Sequence, residues 1–153
     1  MSPEERLASL GITLPEAPKP LGSYVPFLKT GGLAFLSGML PIKDGKLIKT
    51  GKLGRELTIE EGVEAARAAV INALAAARAG LGGLDKVKRC IKLTGYVASD
   101  PSFTAQPQVL NAASGLLADV FGEAGRHTRV AIGVSVLPLD SPVELELVLE
   151  VKE

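Results

Sequence analysis

The stretch "GRHTRVAIGVSVLPLDSPVELELVLEV", from Gly125 to Val151, decides the fold. Val130 to Leu139 is almost wholly apolar and rich in β-branched residues, which reads as a buried strand. Leu137-Pro138-Leu139-Asp140-Ser141-Pro142 then turns the chain. Beyond it Val143, Leu145, Leu147, Leu149 and Val151 alternate with Glu144, Glu146, Val148 and Glu150, the period-two signature of a strand with one buried face. The first strand sets Val130, Ile132, Val134 and Val136 against Ala131, Gly133, Ser135 and Leu137, with little polarity on either side. Such a strand needs cover on both faces. Yet a basic cluster of Arg126, His127 and Arg129 opens the stretch, at the mouth of these apolar strands.

The chain upstream supplies one layer of cover. Pro3 and the following EERLASLG form a short predicted helix with Gly11 just past its end. LPEAPKPLGS is an extended proline-rich connector, so residues 1–21 form an amino-terminal extension to a single domain spanning 1–153. Tyr24 to Lys29 and Leu33 to Leu36 read as strands joined by Thr30-Gly31-Gly32, and Leu47 to Lys49 as a brief strand after the turn at Lys43–Lys46. Thr58 and Glu61 fit a capping box, followed by Val63, Ala66, Val70, Ala73, Leu74 and Ala77 at helical spacing, with Gly80 as the left-handed cap. Val87 to Val97 is a predicted strand. Gln106-Pro107 opens a second long helix, whose stripe runs through Val109, Leu110, Ala113, Leu116, Leu117, Val120 and Phe121 to Gly122. Strands at both ends with helices between imply an α+β domain, a mixed sheet with both long helices packed on one face. The other face then needs a second copy of the chain, and closed cyclic assembly is the economical expectation.

Composition narrows the partners. Of 153 residues 46% are hydrophobic and only 4% aromatic, so the core is aliphatic. Lys+Arg and Asp+Glu both total 17, which does not resemble a nucleic-acid binder. The strip Lys86, Lys88, Arg89 and Lys92 lacks the interleaved aromatics that stack bases. No apolar run is long enough for a bilayer, and the amino terminus lacks the apolar core of a secretory signal. A single cysteine permits no internal disulfide, so a cytoplasmic protein is expected. One histidine and one cysteine make no recognisable metal-ligand set.

The candidate site residues each carry two readings. Arg129 offers a planar fork of donors matched to a carboxylate, or it pairs with Glu144 or Glu146 on the neighbouring strand. His127 is a proton donor near neutral pH, or a turn residue bonded to a carbonyl. Tyr24 is a cleft hydroxyl or a packed edge aromatic. Ser37-Gly38 brings backbone close to a ligand or forms a bulge. Asn111 is a ligand contact or an exposed helix residue. Cys90, in mid-strand, reads as core.

Taken in order, Gly22-Ser23-Tyr24, Ser37-Gly38-Met39-Leu40-Pro41, Leu110-Asn111, Arg129 before Leu137-Pro138, and Val143-Glu144-Leu145-Glu146 resemble the RidA (YjgF-type) reactive-intermediate deaminase family, often labelled endoribonuclease L-PSP. The resemblance runs from Gly22 onward. It implies a chorismate-mutase-like fold, a homotrimer, and a ligand cleft between adjacent subunits. It implies that Arg129 holds the carboxylate of a 2-imino or 2-enamino acid while water, oriented by Glu144, attacks the imine carbon to yield a 2-keto acid and ammonia, with no cofactor. Tyr24, Ser37, Gly38, Asn111, His127 and Ala131 are then the expected substrate-binding neighbours. Two positions depart from the family. Ala131 stands where its most active members carry a cysteine, and Ser114 where an aromatic often follows the helix asparagine. The alternatives are a non-catalytic trimer that binds a metabolite carboxylate and, third, an endoribonuclease.

Overall fold

Thr58 starts the long helix as its sequence predicts: its hydroxyl accepts the Glu61 N–H, and the Glu61 carboxylate accepts the Thr58 N–H in return. These bonds hold the Glu61 carboxyl below the usual carboxylate range. In the computed structural model, which describes residues 1–153, this helix (α2, Ile59–Leu81) is followed by α3 (Gln106–Phe121), and α1 (Pro3–Ser9) precedes both. The strands are β1 (Phe27–Thr30), β2 (Leu33–Leu36), β3 (Ile42–Lys43), β4 (Lys46–Leu47), β5 (Val87–Ala98), β6 (Thr128–Val134) and β7 (Val143–Val151). No helix is long and apolar enough to cross a membrane.

Five strands form one mixed sheet in the order β1-β2-β7-β5-β6, and β3 and β4 form a separate hairpin. All pairs in the main sheet are antiparallel except β5 with β6, which α3 connects in parallel. The alternating set Val143, Leu145, Leu147, Leu149 and Val151 is buried beneath the helices. Ala65, Ala66, Ala69, Ala73, Ala76 and Ala77 are buried along α2, so small side chains let this helix lie close to its neighbours. The α1 helix, capped by Ser2 and Glu5, buries Leu7 and lies against α3. An α+β domain with helices on one face is thus present.

Several local expectations need correction. The β1 strand starts at Phe27 rather than Tyr24, because Pro26 has no N–H to give a ladder and Tyr24 sits in a bend. The strand after the Asp44-Gly45 turn is Lys46–Leu47 rather than Leu47–Lys49, since the two-residue turn pairs Lys43 with Lys46 and Ile42 with Leu47. The α2 helix ends at Gly82 (φ 77°), not Gly80. Gly80 has a packing role instead: a Cβ there would run into the Phe27 ring. Finally, β6 and β7 are not neighbours. The β5 strand lies between them, because the α3 crossover lays β6 on the far edge of β5.

The sheet's second face is uncovered within the chain. Leu28, Phe35, Val130 and Ile132 remain between 41% and 57% exposed there, an unusual density of large apolar side chains for a free surface.

Candidate functional site

The pairing register places Arg129 and Glu144 on opposite faces of the sheet. Arg129 stands beside Leu93, itself opposite Leu147, and both leucines are fully buried under the helices. Glu144 stands beside Tyr96, which is opposite Ile132 on the uncovered face. Strand alternation enforces the separation: residues that share a register row share a face. The pairing of Arg129 with Glu144 or Glu146 that sequence spacing allowed is therefore absent, and Arg129 makes no ion pair in the chain.

Arg129 is held by neutral acceptors on α3. One terminal nitrogen, Nη1, donates to Asn111 Oδ1 at 2.8 Å and to Ser114 Oγ at 3.3 Å. Ser114 Oγ also lies 2.9 Å from His127 Nε2, while His127 Nδ1 lies 2.6 Å from the Gly125 carbonyl oxygen. The carbonyl contact expected of a turn histidine is present, and both ring nitrogens are engaged inside the chain. Ala131 follows Arg129 on the same side of β6 and is partly buried against the core. Arg129, Asn111 and Ser114 thus form one cluster, with His127 behind it. The Arg129 side chain is half-buried. Such an arrangement attracts an anion and has no competing carboxylate to displace.

The second cluster gathers on the uncovered face and its rim. Ser37 Oγ donates to the Val25 carbonyl at 2.6 Å, and its N–H donates to the Pro26 carbonyl at 3.0 Å. Ser37 therefore ties the Tyr24–Pro26 segment to the end of β2. Gly38 permits a close approach: a Cβ there would lie 2.6 Å from Glu144 Oε2. Reciprocal backbone bonds between Met39 and Leu145 lock this contact, at 2.7 and 3.1 Å. Burial, and secondly the charge of Glu146, hold the Glu144 carboxyl above the usual carboxylate range. Such a group exchanges protons closer to neutrality. Tyr96 donates its hydroxyl to Glu146 Oε1 at 2.9 Å, and this bond holds the phenolic proton more tightly than usual. The Tyr24 hydroxyl accepts the Leu21 N–H at 3.1 Å and its ring lies beside Gly22, so it closes the connector at this rim.

Sequence reasoning missed the contacts of four residues. Ser114, marked in the sequence only as a departure from the family, bridges Arg129 and His127. Tyr96, opposite Glu144 in the register, reaches diagonally across β5 and β7 to Glu146, a relation visible only once the register is known. Asn72 is buried in the alanine-rich run of α2, where its side-chain nitrogen donates to the Leu40 and Ile42 carbonyls, both at 2.9 Å. Its signal was a lone amide within an apolar helical stripe. Cys90 is core as expected: burial pushes its thiol up to about 12.

Two surface hollows contain neither Arg129 nor Glu144. One, of about 450 Å³, lies between α1 and α3 beside Arg6 and Asp119. The other, of about 310 Å³, lies at the end of β6 beside Ser99, Gln106 and Gly133.

Comparison with known proteins agrees with this architecture. Residues 4–151 match the family described as "YjgF/chorismate mutase-like, putative endoribonuclease". Protein TCP17 of Trypanosoma cruzi is 46% identical over 145 residues, which cover 94% of this chain and 91% of that protein. RutC family protein PH0854 of Pyrococcus horikoshii is 31% identical over 134 residues, covering 86% of this chain and 90% of that one. The crystal structure of Atu1372 from Agrobacterium tumefaciens, a protein of unknown function, superposes with a TM-score of 0.89 at 43% identity, covering 97% of this chain and 91% of that one.

Proposed function

The chain belongs to the YjgF/chorismate mutase-like family, and from that premise we propose that it hydrolyses reactive 2-imino and 2-enamino acids to 2-keto acids and ammonia in clefts between its copies. The observation that carries the reading is the Arg129 guanidinium, charged, half-buried and bonded to neutral oxygens alone. Two charge-assisted bonds from its remaining N–H groups to a carboxylate would contribute about 1.5–3 kcal/mol each.

The reaction adds water across the C=N bond. The water oxygen bonds to the imine carbon, its proton passes to the nitrogen, and the carbinolamine collapses to C=O with loss of ammonia. A carboxyl able to take and return a proton near the imine carbon accelerates both steps. Glu144 is the group we assign to it, because its proton affinity is raised and residue 38, a glycine, puts no side chain against its oxygen. Anchoring and proton placement are the whole contribution asked of the protein. Neither a metal nor an organic cofactor has a part in these steps.

Arg129 and Glu144 lie on opposite faces of one sheet, so a site using both takes them from different copies. The exposed apolar residues of the uncovered face support such an assembly, and a homotrimer is the form we propose. The partner is then a small imino or keto acid. The alternative, a trimer that binds a metabolite carboxylate without turnover, uses the same arginine. The third reading, RNA cleavage, gains nothing from Arg129, a single cation among neutral partners.

The test is keto-acid and ammonia release from imino acids generated in situ. The wild-type protein should accelerate hydrolysis over buffer, and Arg129→Ala should abolish the acceleration. Acceleration absent, with an Arg129-dependent shift in melting temperature on adding a 2-oxo acid, would instead favour the binding trimer. A monomer by sedimentation equilibrium would overturn the shared cleft.

A further inference from the structure

With the His127 ring neutral, the hydrogen bonds around it run in one consistent direction, which determines which edge of Arg129 is free. The Gly125 carbonyl oxygen, 2.6 Å from Nδ1, accepts and cannot donate, so Nδ1 carries the proton. In the neutral ring Nε2 is then an acceptor, and the Ser114 hydroxyl, 2.9 Å away, donates to it. With its proton committed, Ser114 Oγ turns a lone pair to Arg129 Nη1 at 3.3 Å. The second Nη1 proton goes to Asn111 Oδ1 at 2.8 Å. Both Nη1 protons are spent. What remains is the Nε–Nη2 edge, whose two parallel N–H groups match the two oxygens of a carboxylate.

We infer that His127 and Ser114 are positioning residues, which orient Arg129 so that it receives a carboxylate side-on through Nε and Nη2. This rests on the carboxylate reading of Arg129 given above and deepens it. Ser114 is the pivot, since it alone touches both His127 and the guanidinium. His127 acts through it: without an acceptor at Nε2 the hydroxyl is free to turn its proton toward Arg129, which pits donor against donor. Asn111 alone would then hold Nη1, and the guanidinium plane could swing about that single bond. A long side chain held at one point loses more rotamer freedom on binding than one already held at two.

The test measures the dissociation constant of a 2-oxo acid probe, 2-oxobutanoate, with the native assembly of each variant, alongside its melting temperature. Ser114→Ala and His127→Ala should each weaken binding about five- to tenfold with melting temperatures near wild type. His127→Gln, whose side-chain carbonyl can accept from Ser114, should restore most of the loss. A structural role alone would not show that rescue. If His127→Ala does not fold, Ser114→Ala carries the test. Arg129→Ala separates the two levels. If it abolishes binding while Ser114→Ala binds like wild type, the positioning role is wrong and the carboxylate site stands. If Arg129→Ala itself binds the probe unchanged, both fall.

Discussion

Replacing Asn72 should loosen the segment that presents Gly38 to Glu144. This buried amide donates to the Leu40 and Ile42 carbonyls, and no other side chain bonds to either of them. The Leu40 carbonyl also accepts the Ile42 N–H at 2.9 Å, so it keeps one partner in a variant. The penalty counted is therefore the two lost bonds, with the Leu40 carbonyl still paired. At about 1 kcal/mol for each such bond, Asn72→Ala should lose about 2 kcal/mol. For a domain of this size that is a fall of about 4–8 °C in melting temperature. Asn72→Leu restores apolar volume without restoring the bonds, and should remain about 1–2 kcal/mol below wild type. Chemical denaturation of the three proteins at one concentration reads the difference, since melting of an assembly depends on concentration. A midpoint for Asn72→Leu equal to wild type would refute the reasoning, because it would mean that packing alone holds residues 40–42.

Three further outcomes follow from the geometry. Glu144→Gln should stabilise the protein at neutral pH. Burial raises the folded-state pKa of Glu144, so its carboxyl contributes stability that is present below the ordinary glutamate range and lost as pH rises through the raised value. The gain in the variant should therefore close as pH falls below about 4, and a gain independent of pH would contradict the burial of that charge. Gly95→Ala should cost about 1–3 kcal/mol in denaturation, because a Cβ would overlap the Leu110 side chain beneath α3, and a neutral substitution would show that this helix can shift freely. Cys90 should resist iodoacetamide in the native protein and react once denatured, since its thiol is buried and pushed up to about 12. Rapid native labelling, followed by mass spectrometry, would show that β5 opens.

Periodicity alone determined much of this protein. The alternation in β7, the stripe in α3 and the capping box of α2 are local patterns, and local hydrogen bonding and burial decide them. They were enough for an α+β domain with helices on one face. The ordered run of Tyr24, Ser37-Gly38, Asn111, Arg129 and Glu144 was likewise legible as a resemblance. Only the tertiary structure decided which of these residues meet. Strand order cannot be read from adjacency in sequence: the insertion of β5 between β6 and β7 parted two residues expected side by side, and the pairing register put them on opposite faces. Ser114 and His127 are 13 positions apart, joined by a turn whose path no periodicity encodes, so their bond was invisible until the helix was laid on the sheet. Local pattern specifies what each element buries. The assembly of elements specifies which polar groups are left facing one another.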